Sequence, residues 1–204
     1  MTTDRIGILI SGRGSNMEAL IDACENQVVT ADVGLVISNI ESATGLAKAH
    51  DRGINTLFIS HRGRSREEHD LDLVAAFQQE GVGLVCLAGY MRLVSAELIN
   101  AFKDRILNIH PSLLPAFPGL DAQRQALEYG AKVSGCTVHV VDEELDHGPI
   151  ILQRTVEVLE DDTVETLSAR ILEQEHIAYP EAVSRVLSPS FKLEGRRTRL
   201  VATE

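Results

Sequence analysis

Short apolar runs alternate with helix-like segments along the first half of the chain, and this alternation constrains the fold more than any other feature. "RIGILI" (5–10), "VGLVIS" (33–38), "NTLFIS" (55–60), "GLVCLA" (83–88) and "RILNIH" (105–110) read as buried strands. Between them lie "SNMEALIDACE", "SATGLAKAHDRG", "SREEHDLDLVAAFQQEG" and "SAELINAF". Each opens with serine and carries apolar residues at helical spacing. The pattern predicts an α/β chain, Rossmann-like, with a mostly parallel sheet flanked by helices.

The later part changes character. "SGCTVHVV" (134–141) and "PIILQRTVEV" (149–158), joined by an acidic turn, read as antiparallel strands added to the sheet. An amphipathic helix follows from about Thr163 to Leu187, with Pro180 expected to kink it. The tail, 188–204, ends in an edge strand or stays disordered. The 204 residues suit one domain, divided into a phosphate-binding half (about 1–105), a catalytic half (about 106–187) and the tail.

Composition narrows the function. A net charge of -11 argues against nucleic-acid binding, which needs a basic footprint. No apolar run reaches the roughly 18 residues of a membrane helix, and the start shows no signal-peptide pattern. Cys24, Cys86 and Cys136 are odd in number and show no ligand spacing. They read as small buried hydrophobes in a reducing, cytoplasmic compartment. Neither clustered ligands nor HExxH occurs, so no metal site is expected.

Two motifs carry chemistry. "ILISGRGSN" places Gly12 and Gly14 between the first strand and the first helix, where α/β proteins hold phosphate on a helix N-terminus. The dinucleotide fingerprint is incomplete, because Met17 occupies the third glycine position and no acidic residue ends strand two. One phosphate would fit the N–H groups of Gly14, Ser15 and Asn16 and the side chains of the last two. The bland alternative is structural, with Ser15 and Glu18 forming a capping box.

The second motif is Asn108-x-His110, closed by Pro111. Side chains at i and i+2 of a strand share a face, roughly 6–7 Å apart. Asn108 offers an uncharged donor for an oxyanion, and His110 moves protons near neutral pH. Prolines 111, 115 and 118 stiffen the loop beyond. The alternative is an ordinary strand-end histidine. In the acidic turn, Asp142, Glu143, Glu144 or Asp146 could orient the imidazole, and spacing does not distinguish among them. His139 reads as a strand histidine, although Thr137 and His139 could line a cleft.

"ISGRGSN", "LAGYMRLVS", "ILNIHPSLLPAFPG", "ELDHGPIILQ" and "QEHIAYP" together resemble the folate-dependent glycinamide ribonucleotide formyltransferases of purine biosynthesis. The motifs span about residues 5–187. The resemblance implies a catalytic trio of Asn108, His110 and Asp146. It implies nucleotide contacts from Gly12, Arg13, Gly14, Ser15, Asn16 and Glu175. The folate pocket would use Arg66, Met91, Arg92, Leu93, Val94, Asn108, Asp142 and Asp146. The implied substrates are glycinamide ribonucleotide and 10-formyltetrahydrofolate, with no metal, nucleic acid or membrane partner, in a monomer or homodimer. Asp121 and Gln123 depart from the family's usual histidine, and His147 stands where small residues are commoner. Two rivals share features: a formyltetrahydrofolate hydrolase, expected to carry an extra N-terminal domain, and a non-catalytic nucleotide-binding module.

Overall fold

A computed structural model describes residues 4–201. Residues 1–3 and the last three residues of the expected tail lie outside the described residues. The chain divides into two compact units between Asn108 and Ile109.

In the first unit, β1 (Asp4–Ile10), β2 (Ala31–Ser38), β3 (Thr56–Phe58), β4 (Leu84–Leu87) and β5 (Ile106–His110, entering the second unit) alternate with α1 (Ser15–Glu25), α2 (Thr44–Asp51), α3 (Arg66–Gln79) and α4 (Ala96–Ala101). The strands run parallel in the order β3-β2-β1-β4-β5. In β1, Ile8 pairs with Val36 on one side and Cys86 on the other. A strand inside a parallel sheet is covered on both faces, which explains why "IGILI" is continuous rather than alternating; Ile6, Ile8, Leu9 and Ile10 are fully buried. Strand β3 is shorter than its sequence suggests and leaves Leu57 and Phe58 exposed, as the end strand of that order.

The capping-box alternative does not hold at α1. Its N-cap is Gly14, in the left-handed region at φ 73°, and no side chain caps it. Ser15 is already helical, and Glu18 reaches Lys48 Nζ at 2.6 Å instead. The S-x-x-E pattern does cap α3, where Ser65 and Glu68 exchange bonds.

The second unit contains α5 (Ala122–Tyr129), β6 (Val133–Val140), β7 (Ile150–Glu157), α6 (Val164–Leu187), β8 (Phe191–Glu194) and β9 (Arg197–Leu200). Strands β6 and β7 are antiparallel, from Val133↔Glu157 to His139↔Ile150. Thr163 and Thr166 form a reciprocal cap at the start of α6, which continues as one 24-residue element through Pro180. Leu167, Ile171, Ala178, Ala182 and Val186 give the helix a buried stripe, and it packs on β6 and β7. Helix α5 has no counterpart in the sequence reading. Its N-cap is Asp121, a residue type that favours caps, but the backbone there is left-handed at φ 56° and no side-chain bond forms. The tail forms the antiparallel β8–β9 hairpin, Phe191↔Leu200 to Glu194↔Arg197.

All three cysteines are free; Cys86 and Cys136 are buried and Cys24 is half-buried. Burial pushes the Cys24 thiol up to about 11, with help from the charges of Asp32 and Glu25. Burial pushes Cys136 up to about 12, with Glu175 adding to the effect.

Candidate active site

The glycine loop is built from backbone. Gly14 takes a conformation that costs an L residue about 1–2 kcal/mol. A Cβ there would stand 3.0 Å from Met17 Cε and 3.2 Å from Gly45 Cα. The Gly14 carbonyl accepts from Glu18 N at 2.9 Å, so the helix begins at once and its first N–H groups are left without helical acceptors. Residues 11–16, with Ala88, Gly89 and Met91, line a cleft of about 240 Å³. Five of the six predicted nucleotide residues, Gly12 to Asn16, thus share one concave surface at a helix N-terminus, which is suited to an anion.

Met91 belongs to the segment predicted to hold folate. Its N–H donates to Ser11 Oγ at 2.9 Å, and that hydroxyl donates to Asn39 Oδ1 at 2.6 Å. Ser11 therefore joins the two segments, a role the sequence reading missed. Met91 and Leu93 are 68% and 54% exposed, and Arg92 and Val94 are half-buried. Such apolar exposure suits a flat ligand. Ser95 N donates to Asp70 Oδ2 at 2.6 Å, which ties the segment to α3. Asp70 and His69 are a buried pair, 3.1 Å apart. Arg66, at the start of the same helix, is exposed.

Strand β5 carries Asn108, half-buried, and His110, 5% exposed. His110 Nδ1 lies 3.4 Å from Asp146 Oδ2, and Nε2 lies 2.9 Å from the Phe117 carbonyl. Both ring nitrogens face acceptors, so both positions are satisfied when each carries hydrogen. Asp146 is left-handed at φ 50°. Its Oδ2 accepts from Gly119 N at 2.8 Å, and its Oδ1 lies 3.7 Å from His139 Nε2. The acidic turn therefore presents Asp146 to the imidazole. Asp142 meets His147 instead, at 2.8 Å. The turn closes through Gly148, where a Cβ would sit 1.8 Å from the Val140 carbonyl oxygen.

Neighbouring side chains hold this arrangement. The buried Thr137 hydroxyl donates to the Ser112 carbonyl at 2.7 Å and accepts from Leu114 N at 3.0 Å. Gln153 donates to Thr137 Oγ1 and to the Leu114 carbonyl. Gln125 of α5 donates to the Pro118 and Leu120 carbonyls. Thr137 thus anchors the proline loop from beneath. His139 is buried behind Asp146. Desolvation drives its pKa down, opposed by the Val140 carbonyl and the Asp146 charge. Thr137 and Gln153 lie 25 and 39 residues from the Ser112 and Leu114 carbonyls they bond, too far for spacing to reveal them. Glu175 is buried on α6, and its charge adds to the upward push on the Cys136 thiol. Asp121 is exposed and Gln123 half-buried at the start of α5.

Residues 4–183 match the formyl transferase family. The chain belongs to that family. Among individual formyl transferases, it is 44% identical to phosphoribosylglycinamide formyltransferase of Escherichia coli, over 88% of this chain and 85% of the relative. It is 49% identical to the trifunctional purine biosynthetic protein adenosine-3 of Drosophila melanogaster, over 90% of this chain but only 14% of that protein. The chain therefore spans between about a seventh and a fifth of such multifunctional relatives. The crystal structure of glycinamide ribonucleotide transformylase 1 from Symbiobacterium toebii matches with a TM-score of 0.96 and 52% identity, covering 98% of this chain and 95% of that one. This formyl transferase thus has the expected α/β fold, a mostly parallel sheet with antiparallel strands toward the C-terminus. No helix among the described residues is long and apolar enough to cross a membrane.

Proposed function

We propose that the chain transfers the formyl group of 10-formyltetrahydrofolate to the amine of glycinamide ribonucleotide, yielding formylglycinamide ribonucleotide and tetrahydrofolate in purine biosynthesis. The observation that carries this reading is the His110–Asp146 pair, with Asn108 two residues upstream on the same strand. The names of the full-length relatives support it.

The reaction moves one carbon between two nitrogens. The amine of the ribonucleotide attacks the formyl carbon, and negative charge develops on the formyl oxygen. The Asn108 amide is suited to donate a hydrogen bond to that oxygen, and the positive field of a His110 imidazolium, whose two N–H groups face Asp146 and the Phe117 carbonyl, is suited to stabilise the charge. Asp146 keeps the imidazole oriented and compensates its charge. The C–N bond to the folate then breaks, and the proton lost by the amine ends on the departing folate nitrogen. The Gly12–Asn16 loop holds the phosphate, and Met91–Val94 and Asp142 face the folate. Arg66 and Glu175 complete the proposed contacts to folate and nucleotide respectively.

One assay tests the reading. Folate absorbance is followed during incubation with 10-formyltetrahydrofolate, with and without glycinamide ribonucleotide. Turnover that requires the nucleotide is expected. Turnover with water alone indicates a hydrolase, and no turnover in either case indicates a binding module.

A further inference from the structure

The acidic turn poses an electrostatic problem. Asp142, Glu143, Glu144 and Asp146 place four carboxylates within five residues, and like charges so close together repel. Asp146 must nevertheless hold a left-handed backbone against His110. His147, at the end of the turn, answers part of the problem, with Nδ1 2.8 Å from Asp142 Oδ2 and 3.9 Å from Glu144 Oε1.

The rest of the answer comes from the C-terminal hairpin. Arg196, at the tip between β8 and β9, donates through Nη2 to the His147 carbonyl. Its Nη1 lies 3.1 Å from His147 Nε2 and 3.4 Å from Nδ1. Near-equal distances to both ring nitrogens put the guanidinium against the face of the imidazole rather than in line with one lone pair. Arginine suits this position, since it stacks on flat rings while its fork still reaches a carbonyl. A second tie lies just beyond the turn, where Thr198 Oγ1 donates to the Ile150 carbonyl at 3.0 Å.

We propose that the β8–β9 hairpin is a strap on the acidic turn, and that Arg196 is a positioning residue for formyl transfer, acting through His147 on the backbone that carries Asp146. The catalytic part of this proposal rests on the function proposed above; the strap itself does not. Arg196 brings positive charge to His147, whose ring meets Asp142 and Glu144, and it fixes the His147–Gly148 peptide, one residue beyond Asp146. His147 is the relay, since it binds the guanidinium on one side and Asp142 on the other.

The test uses the full chain with Arg196→Ala, Arg196→Lys, His147→Ala and the double variant Arg196→Ala/His147→Ala. Amide hydrogen exchange is read across residues 142–148 without ligand, and kcat and both KM values are read in the formyl-transfer assay. Arg196→Ala is expected to speed exchange in 142–148 while exchange in β6 is unchanged. It should lower kcat on the order of tenfold, as slight misplacement of a catalytic group does, and raise KM for the formyl donor but not for the nucleotide. Arg196→Lys keeps the charge and should recover part of both effects. The double variant should be no worse than the worse single one, because the two residues act as one unit. Unchanged exchange in 142–148 for Arg196→Ala and Arg196→Lys overturns the strap. Equal rises in both KM values, or additive single effects, overturn the relay through His147. If the unmodified chain transfers no formyl group, the proposed function fails, while the exchange data still decide the strap.

Discussion

The glycine loop and the His110–Asp146 site solve the problem of preorganisation in opposite ways. The loop, residues 11–16, is nearly all backbone: a left-handed glycine, a helix that starts at once, and N–H groups fixed by helix geometry. The second site is assembled from side chains brought together by folding. His110 comes from β5, Asp146 from a turn 36 residues later, and Thr137 and Gln153 from β6 and β7. A loop made of backbone depends on conformation, so its loss should weaken binding. A site made of side chains depends on which groups point where, so its loss should slow the chemistry.

The sharpest test of this contrast is Asn108→Asp. It nearly preserves shape but sets negative charge beside the developing oxyanion. Turnover is expected to fall on the order of 10³ or more, with KM for the nucleotide little changed. Near-normal kcat would remove Asn108 from the chemistry. Asp146→Asn comes next. It leaves a hydrogen-bonding group opposite His110 but removes the charge, and kcat should drop on the order of 10². Equally large losses in kcat and in nucleotide affinity, measured by calorimetry, would turn Asp146 into a structural residue.

Gly14→Ala probes the other side of the comparison. The substitution forces a Cβ into a left-handed site, against Met17 and Gly45. KM for the nucleotide should rise on the order of tenfold with kcat largely kept, given about 1–2 kcal/mol of strain. A fall in kcat without a change in KM would erase the distinction between the two regions.

The smallest expected effect concerns pH. Burial lowers the pKa of His139 below its unfolded value. Above about 6.5, the ordinary histidine pKa, folded and unfolded chains are both neutral at this residue and it adds no pH dependence. As pH falls through that value, the unfolded chain takes up a proton that the folded chain resists, and stability drops. Asp146, His110 and Asp142 are the charged groups that act on it. Denaturant unfolding between pH 7.5 and 5 should show a shallower loss of stability for His139→Gln than for the unmodified chain. Parallel curves would reject this assignment.

The same contrast explains what could be read from sequence. Parallel strands β1, β2, β4 and β5 were legible because burial on both faces demands unbroken apolar runs. The glycine loop was legible as a motif, but the capping-box alternative could not be dismissed from sequence: S-x-x-E describes Ser15 and Glu18 equally well whether serine precedes the helix or begins it, and only the φ of Gly14 decides. Helix α5 went unseen because it buries only Ala122 and Ala126, too small a stripe for apolar periodicity to announce it. In the side-chain site, Asn108 and His110 followed from strand periodicity. The choice of Asp146 over Asp142 required a family resemblance, because two carboxylates four residues apart are equivalent until a histidine claims each. Ser11, Thr137 and Arg196 act through partners 80, 25 and 49 residues away, respectively. No local pattern encodes such distances.

The state of the cysteines has a practical consequence. Thiolate is the reactive form, and Cys24 and Cys136 hold their protons to about 11 and 12, while Cys86 is sealed in β4. At neutral pH the native protein therefore offers thiol reagents an almost silent background. A cysteine introduced at exposed Glu143 would accept a spin label or fluorophore nearly alone, without prior removal of the natural thiols. The acidic turn could then be watched directly as each substrate arrives.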